Sequence, residues 1–147
     1  MNIHYEIRET ENYGKGLYVL ESVPAGTCVW SYKLNDNVFE YDEAQSIAYL
    51  ESLPSLKEQR RFLDASFGKG PILSLINDDG QYINHSTTPN CKTDLSTGHC
   101  YAIQDIAEGD QIFEDYSSFS HPSFLYPLLK KYECEPDYYE MPNRYEN

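Results

Sequence analysis

Turn-forming glycines and prolines punctuate this chain so often that the apolar stretches between them are short. Gly14-Lys15-Gly16, Pro24-Ala25-Gly26, Gly68-Lys69-Gly70-Pro71, Asn77-Asp78-Asp79-Gly80 and Ala107-Glu108-Gly109-Asp110 each stand where the chain must turn. Short strands separated by turns are the expectation.

The runs between the turns have the composition of strands. Ile3, Tyr5 and Ile7 alternate within residues 2–8, and Leu17-Tyr18-Val19-Leu20 and the run Thr27 to Tyr32 are rich in aromatic and β-branched residues. From Ile72 to Tyr116 the pattern is again strand and turn: ILSLI, QYI, HCYAIQDI and QIFEDY. Helices are expected only in the middle and near the end. Asp42 with Gln45 and Ser55 with Glu58 have capping-box spacing. Ala44, Ile47, Ala48 and Leu50 follow the first box up to Pro54, and Leu56, Leu63 and Phe67 follow the second up to the Gly68 turn. Pro122, Phe124, Leu125, Leu128, Leu129 and Tyr132 predict a last amphipathic helix. The chain therefore reads as mainly β with a helical insert at about 41–67, an α+β domain over 1–132 and an acidic, Tyr-rich tail over 133–147. At 147 residues, one hydrophobic core is the expectation.

Charge restricts the partners. The net charge is −13, with 7 basic and 11 acidic groups in residues 1–73 against 4 and 13 in residues 74–147. Such acidity disfavours nucleic acid and, in the second half, suits a cationic partner such as a basic protein or peptide. No apolar run reaches the ~20 residues that span a bilayer, and the first residues lack a basic segment followed by an apolar one. A soluble, intracellular protein is expected, nuclear or cytoplasmic being undecided. The four cysteines, Cys28, Cys91, Cys100 and Cys134, form no CxxC pair, so reduced thiols and no metal site are expected.

Three segments carry chemistry. Gly14-Lys15-Gly16 precedes a strand, where missing side chains let a ligand approach the backbone. It lacks the GxxxxGK[ST] pattern of a phosphate loop, and by itself an ordinary turn explains it. Asn84-His85-Ser86-Thr87-Thr88-Pro89-Asn90-Cys91 packs hydrogen-bonding side chains on both sides of a proline-fixed bend. Ala102 to Tyr116 is a strand, a glycine turn and a strand ending on Asp115-Tyr116.

In this order the three segments resemble the SET-domain protein-lysine methyltransferases, which carry a Gly-x-Gly turn, an Asn-His-Ser-x-x-Pro-Asn signature and an Ile-x-x-Gly-(Glu/Asp)-x-(Leu/Ile) segment closing on Asp-Tyr. The resemblance covers about residues 3–132, and the match at 84–91 is its most specific part. It implies a fold of small β-sheets around a pseudoknot, in which the chain after the signature threads beneath an earlier segment. It also implies S-adenosylmethionine as cofactor, held by the backbone of Lys15 and Gly16 and by Asn84 and His85. Tyr116 falls on the catalytic tyrosine, and Tyr32 falls near a position that lines the substrate-lysine channel.

The implied reaction is methyl transfer to a lysine of a protein substrate, histone tails being the most familiar class. Many members follow the tyrosine with Cys-x-Cys and a third Cys that, with the Cys after Pro-Asn, bind zinc and close the channel. Here only Cys134 follows Tyr116. Closure then falls to the segment after Pro122 and the tail, with Tyr132, Tyr138 and Tyr139 as candidates. Glu114 stands where an aromatic residue is common in some branches. The alternatives are a SET-like module that binds a basic peptide or the cofactor without turnover, and a structural β-domain, which would leave the segment at 84–90 unexplained.

Overall fold

The computed structural model describes residues 1–12 and 14–134. The elements run β1 (Tyr5–Thr10), β2 (Gly14–Val19), β3 (Cys28–Trp30), β4 (Val38–Tyr41), α1 (Glu43–Ser52), α2 (Leu56–Asp64), β5 (Ser66–Lys69) and β6 (Ile72–Ile76). There follow β7 (Asn84–His85), β8 (Cys91–Thr93), β9 (Cys100–Ala102), β10 (Phe113–Glu114) and α3 (Leu125–Lys131), with 3-10 turns at Asp79–Tyr82 and Tyr116–Ser118. Contacts gather them into two compact units, one of Met1–Lys33 with Asp79–Tyr116, the other of Leu34–Asp78 with the chain from Ser117 on.

The first unit is β throughout. β1 and β2 pair antiparallel from Tyr5↔Val19 to Thr10↔Gly14, so Gly14-Lys15-Gly16 lies inside a strand rather than in the expected turn before one. The ladder explains this, since pairing with Arg8, Glu9 and Thr10 extends the strand backward over residues whose own propensity is poor. Leu17, Val19, Val29, Ile106 and Ile112 are fully or almost fully buried there.

The second sheet of this unit has the order β3-β9-β8-β10-β7. β10 lies between β7 and β8 and runs parallel to both, with Phe113 opposite Asn84 and Glu114 opposite His85 and Cys91. Residues 86–90 therefore bend around β10, and the chain that leaves Ile112 enters the gap between the two ends of that bend. The expected strand QYI is instead largely the 3-10 turn Asp79–Tyr82.

The second unit joins the sheet β4-β6-β5 to all three helices. Asp42 caps α1 with the reciprocal Gln45 bonds of a full capping box, and the Ser55 hydroxyl accepts from the Glu58 N–H at the start of α2. The buried faces differ from expectation in part. α1 turns Ile47 and Leu50 inward as expected, together with Ser46, Tyr49 and Leu53, and leaves Ala44 and Ala48 exposed. α2 stops at Asp64, and Phe67 and Gly68 belong to β5, not to a helix and its stop.

Leu50, Phe62, Leu63, Leu73, Leu125, Leu128, Leu129 and Tyr132 form the apolar cluster of this unit. Tyr41, Tyr49 and Phe62 add rings 5.0–5.3 Å apart. Each such buried side chain contributes roughly 1.5–3 kcal/mol. β5 packs so tightly that a Cβ on Gly68 would stand 2.6 Å from the His121 Cα and 2.8 Å from the Pro122 Cδ.

Candidate functional site

The two edges of the bend at 86–90 meet residues from far along the chain, all within the first unit. The bend is closed by Asn90, whose side chain imitates a strand. Its Nδ2 donates to the Gln111 carbonyl at 2.8 Å and its Oδ1 accepts from the Phe113 N–H at 2.9 Å. The Ser86 N–H donates to the Glu114 carbonyl at 2.9 Å on the other side. β10 is thereby held from both flanks, and the residues after it are aimed.

Tyr116 is fixed at two points. Its N–H donates to Nδ1 of His85 at 3.0 Å, and its hydroxyl donates to the Ile83 carbonyl. The rings of His85 and Tyr116 lie 5.4 Å apart and tilted by 52°. Because Nδ1 accepts from an amide, the proton of the neutral imidazole sits on Nε2. The carboxylate of Asp115, 3.8 Å from Nδ1, therefore makes no hydrogen bond through that atom. With its hydroxyl hydrogen donated to the Ile83 carbonyl, the Tyr116 oxygen can act further only as an acceptor.

Asn84 reaches β2 instead. Its Nδ2 donates to the Lys15 carbonyl and to Oε1 of Gln111, each at 3.0 Å. Both Nδ2 hydrogens are thus committed, and Oδ1 remains as an acceptor. Gly16 is buried against the same group, a Cβ there standing 2.5 Å from Oε1 of Gln111. The Lys15 ammonium lies 5.5 Å from the centre of the Tyr82 ring.

The structure thus links Lys15 to Asn84 and His85 to Tyr116, with Gly16 against Gln111. It packs Tyr32 against Gly98 and edge-on to Trp30 at 6.1 Å, with the Tyr32 N–H donating to Nδ1 of His99 at 2.9 Å. Tyr138 and Tyr139 lie outside the described residues. Gln111, Asn90, Tyr18 and the Ile83 carbonyl were not singled out from the sequence. Asn90 stood within the signature, whereas Gln111 occupies a position where the motif specifies no residue.

Behind Tyr116, Glu114 is a buried carboxyl that accepts from the Thr93 hydroxyl at 2.6 Å and from the Cys100 thiol at 3.4 Å. Burial raises its pKa, the two donated bonds opposing this in part. Contact with Cys91, followed by burial, holds the Cys100 thiol far above its usual range, so it stays protonated as a donor. All four cysteines are free thiols, and no group of His, Cys, Asp and Glu among the described residues is arranged to hold a metal ion.

The polar groups left by these commitments suit a zwitterionic amino-acid ligand. Asn84 Oδ1 can accept from an ammonium, and the Lys15 ammonium can face a carboxylate. The residues present therefore fit the cofactor that the motifs imply.

Comparison with known proteins agrees with this geometry. No curated protein matches the sequence. A solved structure from Plasmodium falciparum, titled a "putative histone methyltransferase", superposes with a TM-score of 0.52 at 18% identity, covering 79% of this chain and 95% of that one. At that identity the likeness speaks for the fold alone. The SET domain family matches residues 14–117, a span that begins at the first glycine of β2 and ends just after Tyr116. By its fold and by that match, the chain belongs to the SET-domain family.

Proposed function

We propose that this protein transfers a methyl group from S-adenosylmethionine to a lysine side chain of a basic protein or peptide, a histone tail being the leading substrate class. Membership of a family whose members are generally protein-lysine methyltransferases supports methyl transfer in general. The observation that carries the finer reading is the clasp of Tyr116, held through its amide by His85 and through its hydroxyl by Ile83.

When bound, the cofactor supplies an electrophilic sulfonium methyl. The residues of this chain do the rest by placement. Asn84 and the Lys15–Gly16 backbone hold the amino-acid end. A lysine of reference pKa ~10.4 is neutral only about once in a few thousand molecules at pH 7, so the site must favour loss of its proton. Burial of the amine beside a cation acts in that direction.

The phenol oxygen of Tyr116, its own hydrogen donated to Ile83, accepts from an amine N–H and turns the nitrogen lone pair toward the methyl. Alignment of this kind supplies much of the rate. The hydroxyl acts as an acceptor that orients the amine, and it is not assigned as a base. The net charge of −13 favours approach of a cationic peptide.

The test is incubation with methyl-labelled S-adenosylmethionine and core histones, followed by mass mapping. Label on lysine is expected. Measurable cofactor binding with no label on any histone or basic peptide would replace this reading with that of a binding module.

A further inference from the structure

We infer that Gln111 is a positioning residue for the cofactor cradle, setting which face of the Asn84 amide a ligand meets. The inference rests on the reading above that Asn84 holds the cofactor, and it concerns a residue that neither the motifs nor the family match assigns.

The argument is one of donors and acceptors. The Lys15 carbonyl can only accept, so the Asn84 atom 3.0 Å from it must be Nδ2. The second Nδ2 hydrogen then needs an acceptor, and Oε1 of Gln111 is there at 3.0 Å. A reversed Gln111 amide would oppose two NH2 groups. Gln111 is held in the accepting orientation because its Nε2 donates to the Tyr18 hydroxyl, also at 3.0 Å.

The chain Tyr18, Gln111, Asn84, Lys15 therefore fixes the direction of every amide in it, and Asn84 is left with an acceptor oxygen. An acceptor is what the α-ammonium of the cofactor requires. Removal of Gln111 would free one Nδ2 hydrogen and let the Asn84 amide turn, presenting a donor to a cation. Gly16 is part of the same device. Oε1 of Gln111 occupies the space where a Cβ would stand, so glycine is what lets the Gln111 amide sit close enough to bridge.

The test uses the full chain with two substitutions. Gln111→Leu removes both hydrogen bonds. Gln111→Glu keeps an acceptor for Asn84, and the Tyr18 hydroxyl can turn to donate to it.

In the protein without ligand, side-chain amide exchange of Asn84, followed by NMR, should quicken in Gln111→Leu and stay near wild type in Gln111→Glu. Calorimetric titration with S-adenosylmethionine should show about tenfold weaker binding for Gln111→Leu, ~1.4 kcal/mol, and under about threefold for Gln111→Glu, with kcat at saturating cofactor within about twofold in both. Equal exchange in all three proteins overturns the positioning role whatever the cofactor does. Faster exchange with unchanged cofactor affinity overturns the link to the cradle. Wild-type protein that binds no S-adenosylmethionine overturns the cofactor reading itself. Should Gln111→Leu not fold, Tyr18→Phe leaves the Gln111 amide without the acceptor that orients it, so Asn84 exchange should quicken, and exchange as slow as in wild type would likewise overturn the positioning role.

Discussion

The two compact units hold short elements in register by opposite means. The second unit does it with apolar mass: eight buried side chains from β6, the three helices and Tyr132 just after α3 form one cluster. The first unit does it at its centre with amides, where Asn90 stitches β10 to the bend and Asn84 and Gln111 stitch β7 to β2. Apolar packing is non-directional and tolerates exchange of one shape for another of equal volume. Amide networks are directional, and each atom committed internally determines which atoms remain for a ligand. The unit with the stricter chemistry is the one that carries the candidate site.

Two buried glycines sharpen that contrast, since each is small for want of room. Gly68→Ala places a Cβ against backbone at His121 and against the Pro122 ring, neither of which can swing aside. It should cost about 3 kcal/mol of stability, read as a lower urea midpoint. Gly16→Ala places its Cβ against the end of a Gln111 side chain, which can move. Stability should fall by under about 1 kcal/mol, while affinity for S-adenosylmethionine should weaken about tenfold because Gln111 leaves Asn84. Reversal of the two outcomes, with Gly16→Ala the more unstable protein, would remove the distinction between the units.

A smaller effect belongs to Glu114. Its pKa is raised in the folded protein, so the folded state binds the proton more tightly than the unfolded chain does. Stability from this group is full below the ordinary carboxylate pKa and is lost as pH rises through the raised value. Gln is neutral at every pH and can accept from Thr93 and Cys100 in the same way. The melting temperature of Glu114→Gln relative to wild type should therefore climb between pH 4 and pH 8. A flat difference would mean that the carboxyl is ionised without penalty.

Much of this was legible in the sequence wherever the signal was local. Asp42 with Gln45 announced α1 because a capping box is made by residues three apart. The segment at 84–90 announced the bend because its polar side chains and proline are contiguous. What was not legible depended on distant partners. Gly68 reads as a helix stop until the ladder with Leu73 makes it a strand, and Gly14 to Gly16 reads as a turn until β1 pairs with it. The strand Val38–Tyr41 was not anticipated, four residues being too few to show a period without β6 beside them. Gln111 is one of many polar residues, and only its bonds to Tyr18 and Asn84, 93 and 27 positions away, distinguish it. Of the tyrosines expected to close the lysine channel, Tyr138 and Tyr139 lie outside the described residues, and Tyr132 is buried in the apolar cluster of the second unit.

The central claim is that Tyr116 orients the amine in a methyl-transfer site, and Tyr116→Phe tests it most directly when turnover and cofactor affinity are measured on the same preparation. The ring is preserved and the hydroxyl removed, so the Ile83 carbonyl loses a partner at a cost of about 1 kcal/mol in stability. The account predicts a fall in kcat of about a hundredfold or more, ~2.7 kcal/mol, with S-adenosylmethionine affinity within about twofold of wild type, because the interaction lost is one that forms with the amine rather than with the cofactor. Turnover within about twofold of wild type, ~0.4 kcal/mol, would contradict it, as would a loss of turnover that merely tracks a fall in melting temperature.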